Sequence, residues 1–144
     1  MGTILLISNP AKKGKSSTLV KLANLILDKY VDTQILYTTK NTSNIDFTLV
    51  IKVKGKIIAF ESQELTTKLL ESKIKKTIEN YSPDILFCTS KTQGKTVKAI
   101  NQIAAQFNYN CIKTSTYEVD TDFEKANQTK AKHLFYLAIQ LELF

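Results

Sequence analysis

Thr3-Ile4-Leu5-Leu6-Ile7-Ser8-Asn9-Pro10-Ala11-Lys12-Lys13-Gly14-Lys15-Ser16-Ser17 is the stretch whose reading decides the fold. Thr3 to Ser8 is a nearly continuous apolar run, the pattern of a strand covered on both faces of a parallel sheet. Asn9 to Gly14 reads as a loop. From Lys15 to Tyr30 the apolar residues Leu19, Val20, Leu22, Ala23, Ile26, Leu27 and Tyr30 recur at helical spacing. A buried strand, a loop ending in glycine and an amphipathic helix form the repeating unit of α/β sheets. Such a unit aims the N–H groups of the helix's first turn at one point in space.

Working outward, strand patterns are expected at residues 34–37, 47–53 and 57–60, the last two joined by Lys54-Gly55, a tight-hairpin signal. Leu65, Leu69, Leu70, Ile74 and Ile78 mark a helix over residues 65–81. Ser82-Pro83-Asp84 ends it and opens a strand over 85–88. A helix over 95–107 presents Val97, Ile100, Ala104 and Phe107 on one face. A strand over 111–119 and a helix over 123–143, with Leu134, Phe135, Ala138 and Ile139, complete the chain. The order β-α-β-β-β-α-β-α-β-α predicts one α/β domain over residues 1–144. The expected architecture has three layers: a mostly parallel sheet, helices on both faces and an antiparallel hairpin. Ligands of such folds bind outside the carboxyl ends of the strands, so the loops after Ser8, Phe60, Cys88 and Val119 are the places to look.

Composition narrows the function. The chain has 144 residues, 43% hydrophobic and 23% charged, enough apolar mass for one packed core. No apolar run reaches the roughly 20 residues that cross a bilayer. The amino-terminal residues carry no basic segment and no small-residue cleavage site, so a cytoplasmic location without membrane contact is expected. The net charge is +7, yet the lysines are scattered over nearly every segment and no arginine occurs. The chain itself therefore offers no bidentate guanidinium and no arginine finger. Cys88 and Cys111 sit in apolar segments and read as buried reduced thiols. The single histidine, His133, falls in a helical pattern and no CxxC spacing exists, so neither a zinc site nor a Cys-His nucleophile is supported.

The loop after the first strand carries chemistry. Gly14-Lys15-Ser16 matches the end of G-x-x-x-x-G-K-[ST], and the strand before it and the helix after it match the context that pattern needs. Gly14 lets the backbone turn and present N–H groups, Lys15 neutralises β- and γ-phosphate charge, and the Ser16 hydroxyl suits Mg²⁺. Asn9 stands where the first glycine belongs; it tolerates a left-handed backbone, whereas Pro10 offers no N–H. The candidate nucleotide-binding set is Asn9, Lys12, Lys13, Gly14, Lys15, Ser16 and Ser17. At these residues the chain resembles the P-loop NTPase superfamily. More narrowly it looks like a group of small bacterial ATP-binding proteins with a GKTT-type loop, a hairpin and a later strand running into a second GKT. Here that stretch is Asp84-Ile85-Leu86-Phe87-Cys88-Thr89-Ser90-Lys91-Thr92-Gln93-Gly94-Lys95-Thr96. The resemblance implies a fold and a nucleotide, ATP with Mg²⁺, more than an activity.

The second Gly94-Lys95-Thr96 adds Lys91 and Lys95 as candidate anion contacts. Gln93 stands where GTPases keep the aspartate that reads guanine, which leaves adenine as the default base. P-loop enzymes also use an acid at the end of a neighbouring strand, and Ile57-Ile58-Ala59-Phe60-Glu61 ends in one. Glu61 is the first choice for metal and catalysis with Lys15, and Glu64 the second. Asp84 starts its strand and so lies at the wrong end of the sheet. Glu118, Asp120 and Asp122 read as caps of the final helix. Three functions compete. The first is a nucleoside-triphosphate binder acting as a weak Mg²⁺-dependent NTPase or nucleotide switch. The second is a non-catalytic protein-interaction module with a degenerate P-loop. The third, ranked last, is a nucleic-acid-binding domain, for which no stacking motif or recognition helix stands out. The apolar Leu141-Glu142-Leu143-Phe144 suits the core or contact with a second copy or another protein.

Overall fold

The computed structural model describes residues 2–8, 15–39, 47–62, 67–90, 94–115 and 123–140. The elements are β1 (Thr3–Ser8), α1 (Lys15–Lys29), β2 (Gln34–Thr38), β3 (Phe47–Val53), β4 (Lys56–Ser62), α2 (Thr67–Tyr81), β5 (Ile85–Ser90), α3 (Gly94–Gln106), β6 (Asn110–Thr114) and α4 (Phe123–Gln140). Their order is the one that periodicity predicts. They form an α/β fold on a six-stranded sheet ordered β2-β3-β4-β5-β1-β6.

The sheet is mixed, and its antiparallel part is larger than the expected hairpin. β4–β5, β5–β1 and β1–β6 pair parallel, whereas β2–β3 and β3–β4 pair antiparallel. The antiparallel section therefore extends past the expected hairpin to take in β2. Among the described residues no helix separates β2, β3 and β4, and without a crossover helix consecutive strands meet antiparallel.

Alternation along each strand sorts the side chains to two cores. Leu5, Ile7, Ile58, Phe60, Ile85 and Phe87 face one side, where they pack with Leu19, Leu22 and Ile26 of α1 and Leu134, Phe135 and Ala138 of α4. Ile4, Leu6, Val50, Ala59, Leu86 and Cys88 face the other, against Leu70, Ile74 and Ile78 of α2 and Ile100, Ile103 and Ala104 of α3. The first core centres on Phe60 and Phe87, stacked with ring centroids 5.3 Å apart. Such a pair contributes about 0.5–1.5 kcal/mol beyond the area it buries. α1 and α4 are joined by Thr18, whose hydroxyl donates to Asn127 Oδ1 at 3.5 Å, and by the Lys21–Glu124 ion pair at 3.4 Å. Glu124 is largely exposed, so the ion pair adds little.

Two features set the frame. The β3–β4 turn has Lys54 at φ 50° and Gly55 at φ 81°. Positive φ at both central residues matches the right-handed twist of the flanking strands. At the amino end of the parallel strands, Asp84 works as a staple. Its N–H donates to the Ile57 carbonyl at 2.8 Å, its carboxylate accepts the Ile57 N–H at 2.8 Å, and its carbonyl accepts the Thr3 N–H at 3.0 Å. Next to it the Tyr109 hydroxyl donates to the Pro83 carbonyl at 2.6 Å. Gly2 lies under that phenol. A methyl group there would meet the Tyr109 ring and approach the Pro83 carbonyl to 2.7 Å.

Gly2→Ala is therefore expected to lower stability by about 1–3 kcal/mol, the usual cost of forcing extra volume into a packed site. Thermal denaturation reads it directly. An unchanged midpoint would mean that Tyr109 does not close over Gly2.

Candidate functional site

The carboxyl ends of β1 and β5 lie side by side. The strands pair from Thr3 with Ile85 to Ser8 with Ser90 without a slip. The element that follows each strand is a helix whose opening residues belong to a GK[ST] sequence: Lys15 opens α1 and Gly94 opens α3. The two helices leave to opposite faces, α1 to the Phe60–Phe87 core and α3 to the Cys88 core. Neighbouring strands whose following helices diverge in this way leave a crevice between them, the topological switch point at which open α/β sheets bind ligands.

Of the residues expected at that crevice, Asn9, Lys12, Lys13, Gly14 and Lys91 lie outside the described residues, as do Glu64, Glu118, Asp120, Asp122 and 141–144. Lys15 and Ser16 form the start of α1 and Lys95 the second position of α3, while Ser17 is exposed in the first turn of α1. The fold thus brings both GK[ST] helix starts to one end of two adjacent strands. A helix start of this kind offers free N–H groups and the positive end of the helix dipole.

Two residues of the crevice were not picked out by sequence reasoning. Ser90 ends β5 with a relative exposure of 5%, and its Oγ is the buried side-chain polar atom that lacks a hydrogen-bond partner among the described residues. Leaving a buried hydroxyl unmatched costs about 1–3 kcal/mol, and such exceptions call for an explanation. Lys130 of α4 is buried, and its ammonium donates to Thr114 Oγ1 at 2.6 Å. Thr114 ends β6 and pairs with Ile7 of β1, so a buried cation lies one strand from the end of β1. Burial pushes its pKa down. The sequence carried only a faint signal for either residue: Thr89-Ser90 turns an apolar strand polar just before a GKT, and Lys130 is one of many lysines.

Glu61 occupies a different position from the one expected. It pairs with Cys88, which pairs with Leu6. It is therefore two strand spacings, about 10 Å, from β1, and recessed from the strand ends that Ser8 and Ser90 reach. It is 1% exposed. Its Oε2 accepts from Thr48 Oγ1 at 3.0 Å and its Oε1 from Thr77 Oγ1 at 3.1 Å. It lines a cleft of about 260 Å³ on the α2 side with Tyr37, Thr48, Lys73, Thr77 and Tyr81. Burial pushes its pKa above the ordinary 4.5, against the opposing pull of the two hydroxyls and of Lys73. Burial thus favours the protonated form of this carboxyl more than in an exposed one.

The remaining chemistry-bearing residues divide plainly. Among the described residues no group of three or more His, Cys, Asp or Glu could hold a metal ion. Cys88 and Cys111 are free thiols, the first buried and the second half-buried, and burial raises both. His133 is exposed on α4. Asp84 staples the amino end of the sheet, as its place at the start of β5 implies.

The Glu61 shift has a signed consequence. A carboxyl whose folded pKa exceeds its unfolded one stabilises the fold at low pH, and that contribution fades as pH rises from about 4.5 through the raised value. Glu61→Gln keeps the shape without the charge. Its melting temperature should match wild type near pH 4 and exceed it increasingly toward neutrality. The difference grows by up to about 1.4 kcal/mol for each pH unit between the two pKa values. Equal pH profiles for the two proteins would show that Glu61 is not destabilised by its burial.

No family model matches the chain, and neither does any curated protein or solved structure.

Proposed function

We propose that this chain binds a nucleoside triphosphate, with ATP the nucleotide to test first, and that hydrolysis is slow or absent. The observation that carries the reading is the in-register β1–β5 pair whose following helices, each opening on a GK[ST] sequence, diverge to opposite faces. In this reading the N–H groups at the start of α1 receive phosphate oxygens. Lys15 neutralises β- and γ-phosphate charge, and Lys130 adds a buried positive potential one strand away. Asn9, Lys12, Lys13, Gly14 and Ser17 complete the cradle as the sequence arranges them.

Mg²⁺ fits this arrangement as an ion carried by the nucleotide rather than by a protein cage. The described residues include no cluster of acids, and Mg²⁺ at such sites keeps most of its ligands as phosphate oxygens and water. The Ser16 hydroxyl is the protein ligand this reading assigns. The ion would draw charge off the phosphates and fix their geometry.

A specific observation favours binding over catalysis. Both oxygens of Glu61 already accept threonine hydroxyls, and the carboxyl is recessed from the strand ends. To orient an attacking water it would have to release one of them. A nucleotide-dependent switch or a protein-interaction module accommodates that better than a fast hydrolase. Cytoplasmic location and association with a second copy or another protein remain part of the proposal; among the described residues no helix is long and apolar enough to cross a membrane.

Calorimetric titration of Mg-ATP into wild type and Lys15→Ala tests the reading. Wild type should bind, and Lys15→Ala should bind at least tenfold more weakly, the loss of one charge-assisted contact. Phosphate release by wild type should stay near background. Equal binding by both proteins, or none by wild type, would overturn the phosphate assignment, and brisk release that Glu61→Gln abolishes would overturn the slow-turnover part.

A further inference from the structure

We infer that the start of α3 and the Ser90 hydroxyl form a second phosphoryl-binding wall of the crevice, facing the one at α1. It deepens the nucleotide reading but rests on separate residues.

The argument begins with Ser90. Along β5, Leu86 and Cys88 point into the α2–α3 core, and Ser90 follows them in the alternation, so its hydroxyl lies on the α3 side at the carboxyl end of the strand. It is nineteen-twentieths buried by its 5% exposure and has no partner among the described residues. The chain then reaches Gly94, the first residue of α3, after three intervening residues. The four steps from Ser90 to Gly94 span at most about 14 Å, and α3 packs on the face to which the hydroxyl points, so the hydroxyl and the first turn of α3 border one volume. α3 has 13 residues, long enough for its dipole to favour an anion at this end. Glycine at the first position removes a side chain from the approach, and Lys95 supplies a full positive charge in the sequence.

The acid of the neighbouring strand β4 does not compete for this volume. Glu61 turns its oxygens to Thr48 of β3 and Thr77 of α2, one strand away. Among the described residues the volume offers the N–H donors of the α3 start and one hydroxyl, and the sequence adds the charge of Lys95. Tetrahedral oxyanions suit that set, because several oxygens can be met at once by donors converging from a strand end and a helix start. The phosphoryl group has two sources: the terminal phosphate of the nucleotide held at α1, or a separate phosphorylated molecule bound beside it.

The experiment follows amide resonances of the ¹⁵N-labelled full chain during titration with inorganic phosphate, in wild type, Ser90→Ala, Lys95→Gln and Lys15→Ala. Saturable shifts at Ser90 and at Gly94 to Thr96 are expected in wild type and in Lys15→Ala. Ser90→Ala and Lys95→Gln should each raise the apparent Kd about fivefold or more, in line with loss of one contact to a charged ligand. A dispersed wild-type-like spectrum for each variant shows that it is folded. Repeating the titration on Mg-ATP-loaded wild type separates the sources. Phosphate excluded by ATP but not by ADP identifies the nucleotide's own terminal group, and phosphate still bound identifies a separate molecule. Absence of shifts at the α3 start, or equal affinity in wild type, Ser90→Ala and Lys95→Gln, overturns the inference. Phosphate binding at α3 in a protein that ignores ATP would overturn only the nucleotide reading.

Discussion

The parallel pairing of β1 with β5 is the constraint on which the rest depends. From β1 the chain travels through α1 toward β2, at one edge of the sheet. From β5 it travels through α3 in the opposite direction, past β1, to β6. Crossovers between parallel strands are right-handed almost without exception. Two right-handed crossovers that set off in opposite directions must use opposite faces of the sheet. The divergence of α1 and α3, and hence the crevice between their starts, follows from strand order and handedness alone. It needs no special residues, which leaves the residues there free to serve a ligand.

The molecule keeps its ionisable groups in two unlike environments. At the switch point the described groups are donors or cations: Lys130 held by Thr114, the orphaned Ser90 hydroxyl and the starts of two helices. On the α2 side, Glu61 is an acid enclosed by two threonine hydroxyls with Lys73 nearby. A chain without arginine has to build a positive site from lysine and backbone dipoles. Lysine is a flexible point charge that works best when its stem is packed. Lys130 is a lysine of that kind, buried along α4 and bonded to Thr114.

Element order was legible because it is written in local periodicity: the apolar run of Thr3–Ser8, the helical spacing from Leu19 to Ile26, and Pro83 ahead of β5 each carry their own signal. Boundaries moved where polar residues continue a strand, as at Glu61-Ser62 in β4 and Thr89-Ser90 in β5, and β6 ends at Thr114, short of the expected 119. Strand order was not legible, because it depends on pairings between distant segments, and so the size of the antiparallel section was underestimated. Within the candidate site, Lys15 and Ser16 announce themselves by motif. Ser90 and Lys130 do not, since a serine and a lysine acquire meaning only once burial is known. Glu61 lies near the end of β4, as the apolar run before it implies, but it is buried and recessed from the ends of β1 and β5. Its partners Thr48 and Thr77 come from two other elements, and nothing local in the sequence ties them to it.

The hairpin turn at Lys54-Gly55 acts as a ruler for chemistry at its far end. With two residues in the turn, Val53 pairs with Lys56 and the count carries through to Thr48 opposite Glu61. A turn one residue longer or shorter would shift that register and exchange the two faces of the displaced strand. If β4 slipped against the rest of the sheet, Glu61 would rotate into the aromatic core and Phe60 out toward the threonines. The proton affinity of a buried acid is thus encoded at a distance, in the backbone dihedrals of two exposed residues that never touch it. Lineages that vary this turn would be expected to change its sequence far more freely than its length.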